Sequence, residues 1–345
     1  MKTKILFISI ISILLVQCKK DNIHLEEQSI INTENSYQLV PELKEKIKSE
    51  NGLLVFESKE HFTRITNLLN TEIKNYISEF FQNKKELNDE EIDSCILADS
   101  FNPYAVLHLF ENQQSFKSLR TQLQEKDLQR LQNTELNSEE NPLFYPLSER
   151  CQNIANINGE YMIGTTIYRI EEDGVVYEIL NSDFNALDEI RKGNSCLKSN
   201  NPNVIVHNYE IRNDLKAIET SCVAYRRKTG NFPNLPSGYK IDCAIDLDWD
   251  GWGSAAKAKA SAYRSHKILG KTIWTQWWTY MDVTITVLDY DIDCNYQGSY
   301  WWRDSGNGYW ITARVGQSGV GFRVKTGEKG GAFQKTGYPA YFLTW

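Results

Sequence analysis

Apolar residues recur every three or four positions through the first part of the chain and every second position through the last third. That change of period predicts two kinds of structure. Leu53-Leu-Val-Phe56 is a short unbroken apolar run and reads as a strand. Ser58 then stands where a helix cap belongs, ahead of Phe62, Ile65, Leu69, Ile73, Tyr76 and Phe80, whose spacing draws one apolar stripe along a helix. A second helix start lies at Asn88, with Glu91 three places on and Leu87 and Ile92 placed to staple the turn. Phe116, Leu119 and Leu123 mark a further amphipathic helix after Ser115. His61 and His108 fall in or beside these segments without companion ligands, so they are read as structural.

After Pro142 the period shortens. Glu160 to Ile163 and Thr166 to Ile170 read as strands, Asp173-Gly174 as a tight turn, and Val175 to Ile179 as the returning partner. Beyond Val223, a basic triplet (Arg226-Arg227-Lys228) and a turn-rich link to Gly238 open a new region. Ala256-Lys-Ala-Lys-Ala-Ser-Ala-Tyr263 sets composition against period, since Ala and Lys favour helix while strict alternation favours a strand. Period two prevails, because Thr284 to Val287 and the Gly-punctuated tail beyond Trp310 are also β-rich. The expected fold is an α+β domain over residues 51–222 followed by an all-β, sandwich-like domain over 223–345.

Composition sharpens that division. All nine tryptophans lie from Trp249 onward. Residues 223–345 carry 15 Lys and Arg against 10 Asp and Glu, a net of +5, so residues 1–222 carry −12 of the overall −7. With no concentrated basic stripe, nucleic acid is excluded as a partner.

Lys2 and Lys4 precede an apolar run from Ile5 to Val16 that is too short to span a bilayer, the pattern of an export signal over residues 1–18. Residues 19–50 are polar and without sustained period, a flexible tether with a reach of roughly 30 Å. Six cysteines besides Cys18, at Cys95, Cys151, Cys196, Cys222, Cys243 and Cys294, favour disulfides in an oxidising compartment, with the pairing left open.

Leu15-Val-Gln-Cys18 resembles the lipobox of bacterial lipoproteins, and Lys19-Lys-Asp21 the surface-export tag of Bacteroidetes-type bacteria. Together with the pattern from Gly52 to Ser58 and Tyr161-Met-Ile-Gly-Thr-Thr-Ile-Tyr-Arg-Ile170, the chain resembles uncharacterised surface lipoproteins of those bacteria. The resemblance implies acylation of Cys18 (with palmitate, for example), a membrane anchored through that lipid, and a place at the outer membrane facing outward. It implies no activity.

Asp246-Leu-Asp248-Trp-Asp250-Gly251 admits three readings. As a strand, it points Asp246, Asp248 and Asp250 to one side and Ile245, Leu247 and Trp249 into the core. As a calcium loop it supplies the first oxygen ligands and the sharp glycine, but Lys257 stands where a bidentate glutamate is needed. No other cofactor is expected. Thirdly, it resembles the D-x-D-x-E signature of chitinase-like glycosidases, which implies Asp250 as the acid. Asp250 replaces the family's glutamate, and the chain that follows lacks the alternation of a (β/α)8 barrel. Gly270-Lys-Thr272, Gly251-Trp-Gly253 and Gly316-Gln-Ser318 are incomplete matches to phosphate-loop, dinucleotide and nucleophile-elbow motifs.

The aromatics remain. In Trp274-Thr-Gln-Trp277-Trp278-Thr-Tyr280 a continuous strand sends Trp274, Trp278 and Tyr280 to one face and Trp277 to the other, and Trp301-Trp302 repeats the two-faced placement. Exposed rings offer flat faces for sugars or anchors for a protein. The expectation is therefore a cell-envelope lipoprotein with a non-catalytic binding module, its ligand a polysaccharide or a protein partner held by Trp274, Trp277, Trp278, Tyr280, Trp301 and Trp302. The alternative is a secreted glycoside hydrolase using Asp250.

Overall fold

Alternate residues of the first sheet face two different layers, and this places the helices. The computed structural model describes residues 37–82, 101–132, 141–193, 201–207, 222, 227–251, 253–268, 271–291, 293–316 and 322–345. Strands β1 (Lys48–Glu50), β2 (Leu53–Phe56), β3 (Glu160–Ile163), β4 (Thr166–Ile170), β5 (Val176–Ile179) and β6 (Val204–His207) form a six-stranded sheet in that order. Only the β2 to β3 pairing is parallel. The connection between those two strands carries helices α2 (Lys59–Gln82), α3 (Ala105–Gln114), α4 (Leu119–Gln132) and α5 (Glu149–Gln152), while α1 (Pro41–Lys44) precedes the sheet. Leu54 and Phe56 pack with Phe62, Ile65 and Leu69 of α2 in one core. Leu53 and Val55 point the other way, onto Leu187 and Ile190 of α6 (Phe184–Arg191).

Local chemistry sets the ends of these elements. Ser58 Oγ accepts the His61 N–H at 3.2 Å and so starts α2 as expected. Asp173 Oδ1 accepts the Val175 N–H at 3.1 Å, and Gly174 at φ +87° closes the β4–β5 turn. The helix read after Ser115 is α4, with Phe116 just outside it: Ser115 at φ 59° ends α3 in the left-handed region, and Ser118 Oγ, accepting from the Thr121 N–H at 3.2 Å, caps α4. The helix start read at Leu87, Asn88, Glu91 and Ile92 lies outside the described residues, as do Cys18 and the segments before residue 37. Among the described residues no helix is long and apolar enough to cross a membrane.

The C-terminal region is a sandwich of two antiparallel sheets. One holds β7 (Arg227–Asn231), β8 (Tyr239–Trp249), β9 (Ser254–Ile268) and β10 (Lys271–Gln276), with β13 (Trp310–Gly316) beside β10 on the same edge of β9. The other holds β12 (Tyr296–Gly308), β11 (Thr279–Tyr290), β14 (Lys329–Gln334) and β15 (Tyr341–Thr344) in that order. Tyr309 is the corner at which the chain passes from β12 to β13 and changes sheets. The alternation in β9 is real: Ala256, Ala258, Ala260 and Ala262 enter the sandwich core with Ile245, Ile285 and Phe333. Small side chains there let the second sheet come close. A Cβ on Gly331 would lie 2.5 Å from Ile245 Cγ2.

Trp249, at the end of β8, enters the first core instead of the sandwich core, donating from Nε1 to Tyr161 Oη at 3.0 Å and to the Gly251 carbonyl at 2.7 Å. Of the six cysteines, Cys222 and Cys294 form a disulfide. The wider expectation is corrected for Cys151 and Cys243, which are free and buried in separate cores. Cys95 and Cys196 lie outside the described residues.

Candidate ligand-binding surfaces

The outward face of the β8–β9 part of the β7–β8–β9–β13 sheet is largely buried: Asp242, Asp246, Asp248, Lys257 and Lys259 are each 3 % exposed or less. Cross-strand pairing sets Arg227, Asp246, Lys257 and Arg314 in one row across four strands. Helices α4 and α5 and the chain from Asn141 to Ser148 lie over that row. Lys257, only 2 % exposed, places Nζ 3.0 Å from Asp248 Oδ2 and donates to the Tyr145 carbonyl at 3.0 Å. Asp246 pairs with Arg227 at 2.9 Å, and Arg314 reaches Asp248 at 3.2 Å and Asp250 at 2.6 Å. Lys259 pairs with Glu149 on α5 at 2.5 Å. Buried charge of this density persists because nearly every group has an opposite partner.

This arrangement decides among the readings of the acidic run. Asp246 and Asp248 are on a strand and Asp250 immediately follows it, with Ile245 and Leu247 in the sandwich core. The calcium-loop reading is corrected, because strand geometry spreads the carboxylates and each is already paired with an arginine or lysine. Among the described residues no group of three or more His, Cys, Asp and Glu is placed to hold a metal ion. Asp250 accepts from Ser148 Oγ at 2.7 Å and from Arg150 Nε at 2.8 Å. Burial opposes its ionisation, but Arg314 and Arg150 outweigh burial and hold its carboxyl well below the usual range. A proton donor to a glycosidic oxygen needs the opposite environment, one that keeps the acid protonated near neutral pH.

The aromatic residues fall into three places. The strand breaks at Trp277 and Trp278, between β10 and β11, which corrects the continuous strand read there. Both are 5 % exposed and are corrected as ligand contacts: Trp277 packs in the sandwich core beneath Lys335, and Trp278 stacks on Phe81 of α2 at 3.7 Å between ring centroids. Trp274, half-buried on β10, stands opposite Ser265.

Trp301, Trp302 and Tyr280 are exposed, at 68 %, 58 % and 39 %. Trp301 lies opposite Thr286, on the outer face of the β12–β11–β14–β15 sheet, with Arg303 beside Thr284, Tyr280 opposite Asn307 and Phe342 opposite Ala332. Arg303 grips both carboxylate oxygens of Asp282 between these rings. At about 3.3 Å per residue along a strand, Trp301 and Tyr280 stand roughly 20 Å apart, and Phe342 is three strands, roughly 14 Å, across.

Trp302 points to the opposite face, into a cleft of about 570 Å³. Helix α2 forms one wall with Asn70 and Lys74, and β12 and β13 the other with Asp304 and Trp310. Its floor is the edge of the buried charge layer, including Arg120, Glu149, Lys257 and Arg314. Trp310 stacks parallel to Tyr104 at 5.7 Å, and the Arg120 guanidinium lies 4.8 Å from the Trp310 ring centroid. Burial opposes ionisation of Glu149, but Lys259 and Arg120 hold its carboxyl down at about 2.

Arg120, Trp310, Arg150 and Tyr104 were not singled out by sequence. A signal exists for Arg120: it shares the stripe of Phe116, Leu119 and Leu123, a position where an arginine must be buried or used. The others are brought together only by contacts between distant segments. Compared with known proteins, the chain matches no family model, no curated protein and no solved structure, so geometry alone carries the functional reading.

Proposed function

We propose that the protein is a lipid-anchored binding protein of the cell envelope, facing outward from the outer membrane, and that its sandwich holds a polysaccharide without cleaving it. The observation that carries the reading is the outer face of the β12–β11–β14–β15 sheet. Trp301, Tyr280 and Phe342 are exposed there, with Thr284, Thr286, Gln334 and the Arg303–Asp282 pair among them. Protein hot spots gather apolar anchors in one central, dry patch. Here the rings stand apart, and the groups between them donate and accept hydrogen bonds, which suits a hydroxylated polymer lying across a flat face.

Acylation of Cys18 supports the location through the lipobox resemblance, and the tether is the chain before residue 37. The reading of residues 37–50 as tether is corrected, because Leu39, Leu43 and Ile47 enter the first core and Lys48–Glu50 pairs with β2. A polysaccharide array, followed by calorimetry on each hit and product analysis, tests the function. Binding that weakens about tenfold in Trp301→Ala, with no shortened product, is expected. An empty array, or a hit indifferent to Trp301→Ala, removes the polysaccharide reading and favours a protein partner. For the anchor, Cys18→Ala is expected to move the protein from the membrane to the soluble fraction, and unchanged fractionation refutes it.

A further inference from the structure

The cleft behind Trp302 has the build of a ligand site in its own right, whatever the outer face binds. Its volume of about 570 Å³ falls within the roughly 300–1,000 Å³ typical of small-molecule sites. Its floor and the layer behind it hold more positive than negative charge. Arg120, Arg150, Lys257, Lys259 and Arg314 are partnered there by Glu149, Asp248 and Asp250. Asp246, the next carboxylate along, is taken by Arg227.

Arg120 makes few polar contacts for a buried guanidinium. It is 3 % exposed, yet among the described residues its guanidinium has one hydrogen bond, to Gln152 Oε1 at 3.3 Å, and a distant ion pair to Glu149 at 4.0 Å. A guanidinium carries five N–H donors in a planar fork, and a desolvated one left short of acceptors is costly. A carboxylate is the group that matches that fork. The crowding has a second mark: burial, with Arg120 and Lys257 adding to it, pushes the Lys259 ammonium down to about 8 despite its contact with Glu149.

Above this cationic floor, Trp302 offers a solvent-facing ring, and Asn70, Asp304 and Asn307 offer polar groups at the rim. An anion with a flat ring face and several hydroxyls satisfies both levels. We propose that the cleft binds an acidic sugar, a hexuronate unit, with its carboxylate on Arg120 and its ring against Trp302.

Calorimetry with a galacturonate trimer, a glucuronate monomer and neutral glucose, using the full chain after its signal, tests this. The uronates are expected to bind and glucose is not. Raising salt from about 50 to about 500 mM should weaken the uronate at least severalfold, because the anchor is ionic and partly screened. Trp302→Ala, a change at an exposed position that leaves the fold intact, should weaken it about tenfold. Arg120→Gln should abolish it, with circular dichroism and the thermal midpoint confirming that the variant folds. Tyr296→Ala, exposed on the same strand but away from the cleft, should bind as the unaltered protein does. The proposal is overturned if neither uronate binds, if glucose binds equally well, or if uronate affinity is indifferent to Trp302→Ala.

Discussion

Replacing Lys257 with methionine removes one charge from the layer between the sandwich and the helices, and the structure sets the size of the effect. Lys257 is 2 % exposed and its ammonium serves three acceptors: Asp248 at 3.0 Å, the Tyr145 carbonyl at 3.0 Å and Asp246 at 4.0 Å. Methionine fills nearly the same volume, so packing is kept and the charge alone is deleted. Losing one member of a buried pair costs about 3–5 kcal/mol, because the other is left uncompensated. Arg227 and Arg314 remain beside Asp246 and Asp248, which moves the expectation to the lower end, about 3 kcal/mol. Against a total stability of about 5–15 kcal/mol, a loss of that size is readily measured by urea unfolding. Asp248→Leu added to Lys257→Met should recover part of it, since the stranded carboxylate goes too. Lys48→Met, at an exposed pair with Glu50, should leave the midpoint where it was. Should Lys257→Met prove as stable as the parent within about 0.5 kcal/mol, the lysine face of β9 is solvated and the buried layer is wrong.

Further outcomes follow from the same contacts. Gly331→Ala sets a Cβ 2.5 Å from Ile245 Cγ2 and 2.9 Å from the Phe333 ring, so it should cost about 1–3 kcal/mol, with Ile245→Val restoring part of the thermal midpoint. Because Glu149 titrates at about 2 when folded against 4.5 ordinarily, its contribution is complete above about pH 4.5 and is lost as pH falls toward 2. With its side chain 23 % exposed, the stability gap between the parent and Glu149→Gln should be at most about 3 kcal/mol at neutral pH and close below pH 2. Asp127 and Asp246, both raised by burial, work in the opposite sense, so the comparison with the variant is the measurement to make. Reducing the Cys222–Cys294 disulfide, which spans 72 residues, should lower stability by on the order of 2–4 kcal/mol, and an unmoved midpoint after verified reduction refutes it.

Periodicity was the part of the fold open to reading from sequence. The Ala and Lys alternation of β9 and the apolar stripe of α2 each state their element directly. What periodicity leaves open is which face meets water. Lys257 and Lys259 look like a solvent face, yet their partners Tyr145 and Glu149 lie more than a hundred residues away in sequence. Trp277 and Trp278 illustrate the same limit, because their burial depends on Lys335 and on Phe81 of a distant helix. Ser115 and Ser118 are both plausible caps, and only the backbone at Ser115, in the left-handed region, separates an ending from a beginning. Trp302 faces the same side as the buried Ile285, and its exposure follows from β12 lying at the edge of its sheet, a matter of strand order that a linear pattern does not encode.

Strand β8 has one end in each of two cores, with Ile245 and Leu247 in the sandwich and Trp249 among Tyr161, Tyr168 and Phe62. Dividing the chain between Cys222 and Arg227 would therefore leave an indole-shaped hole in the first piece and an unsheltered tryptophan on the second. The pieces would be complementing halves, each holding the plug or the socket of the other, and the fluorescence of Trp249 would report the moment they meet.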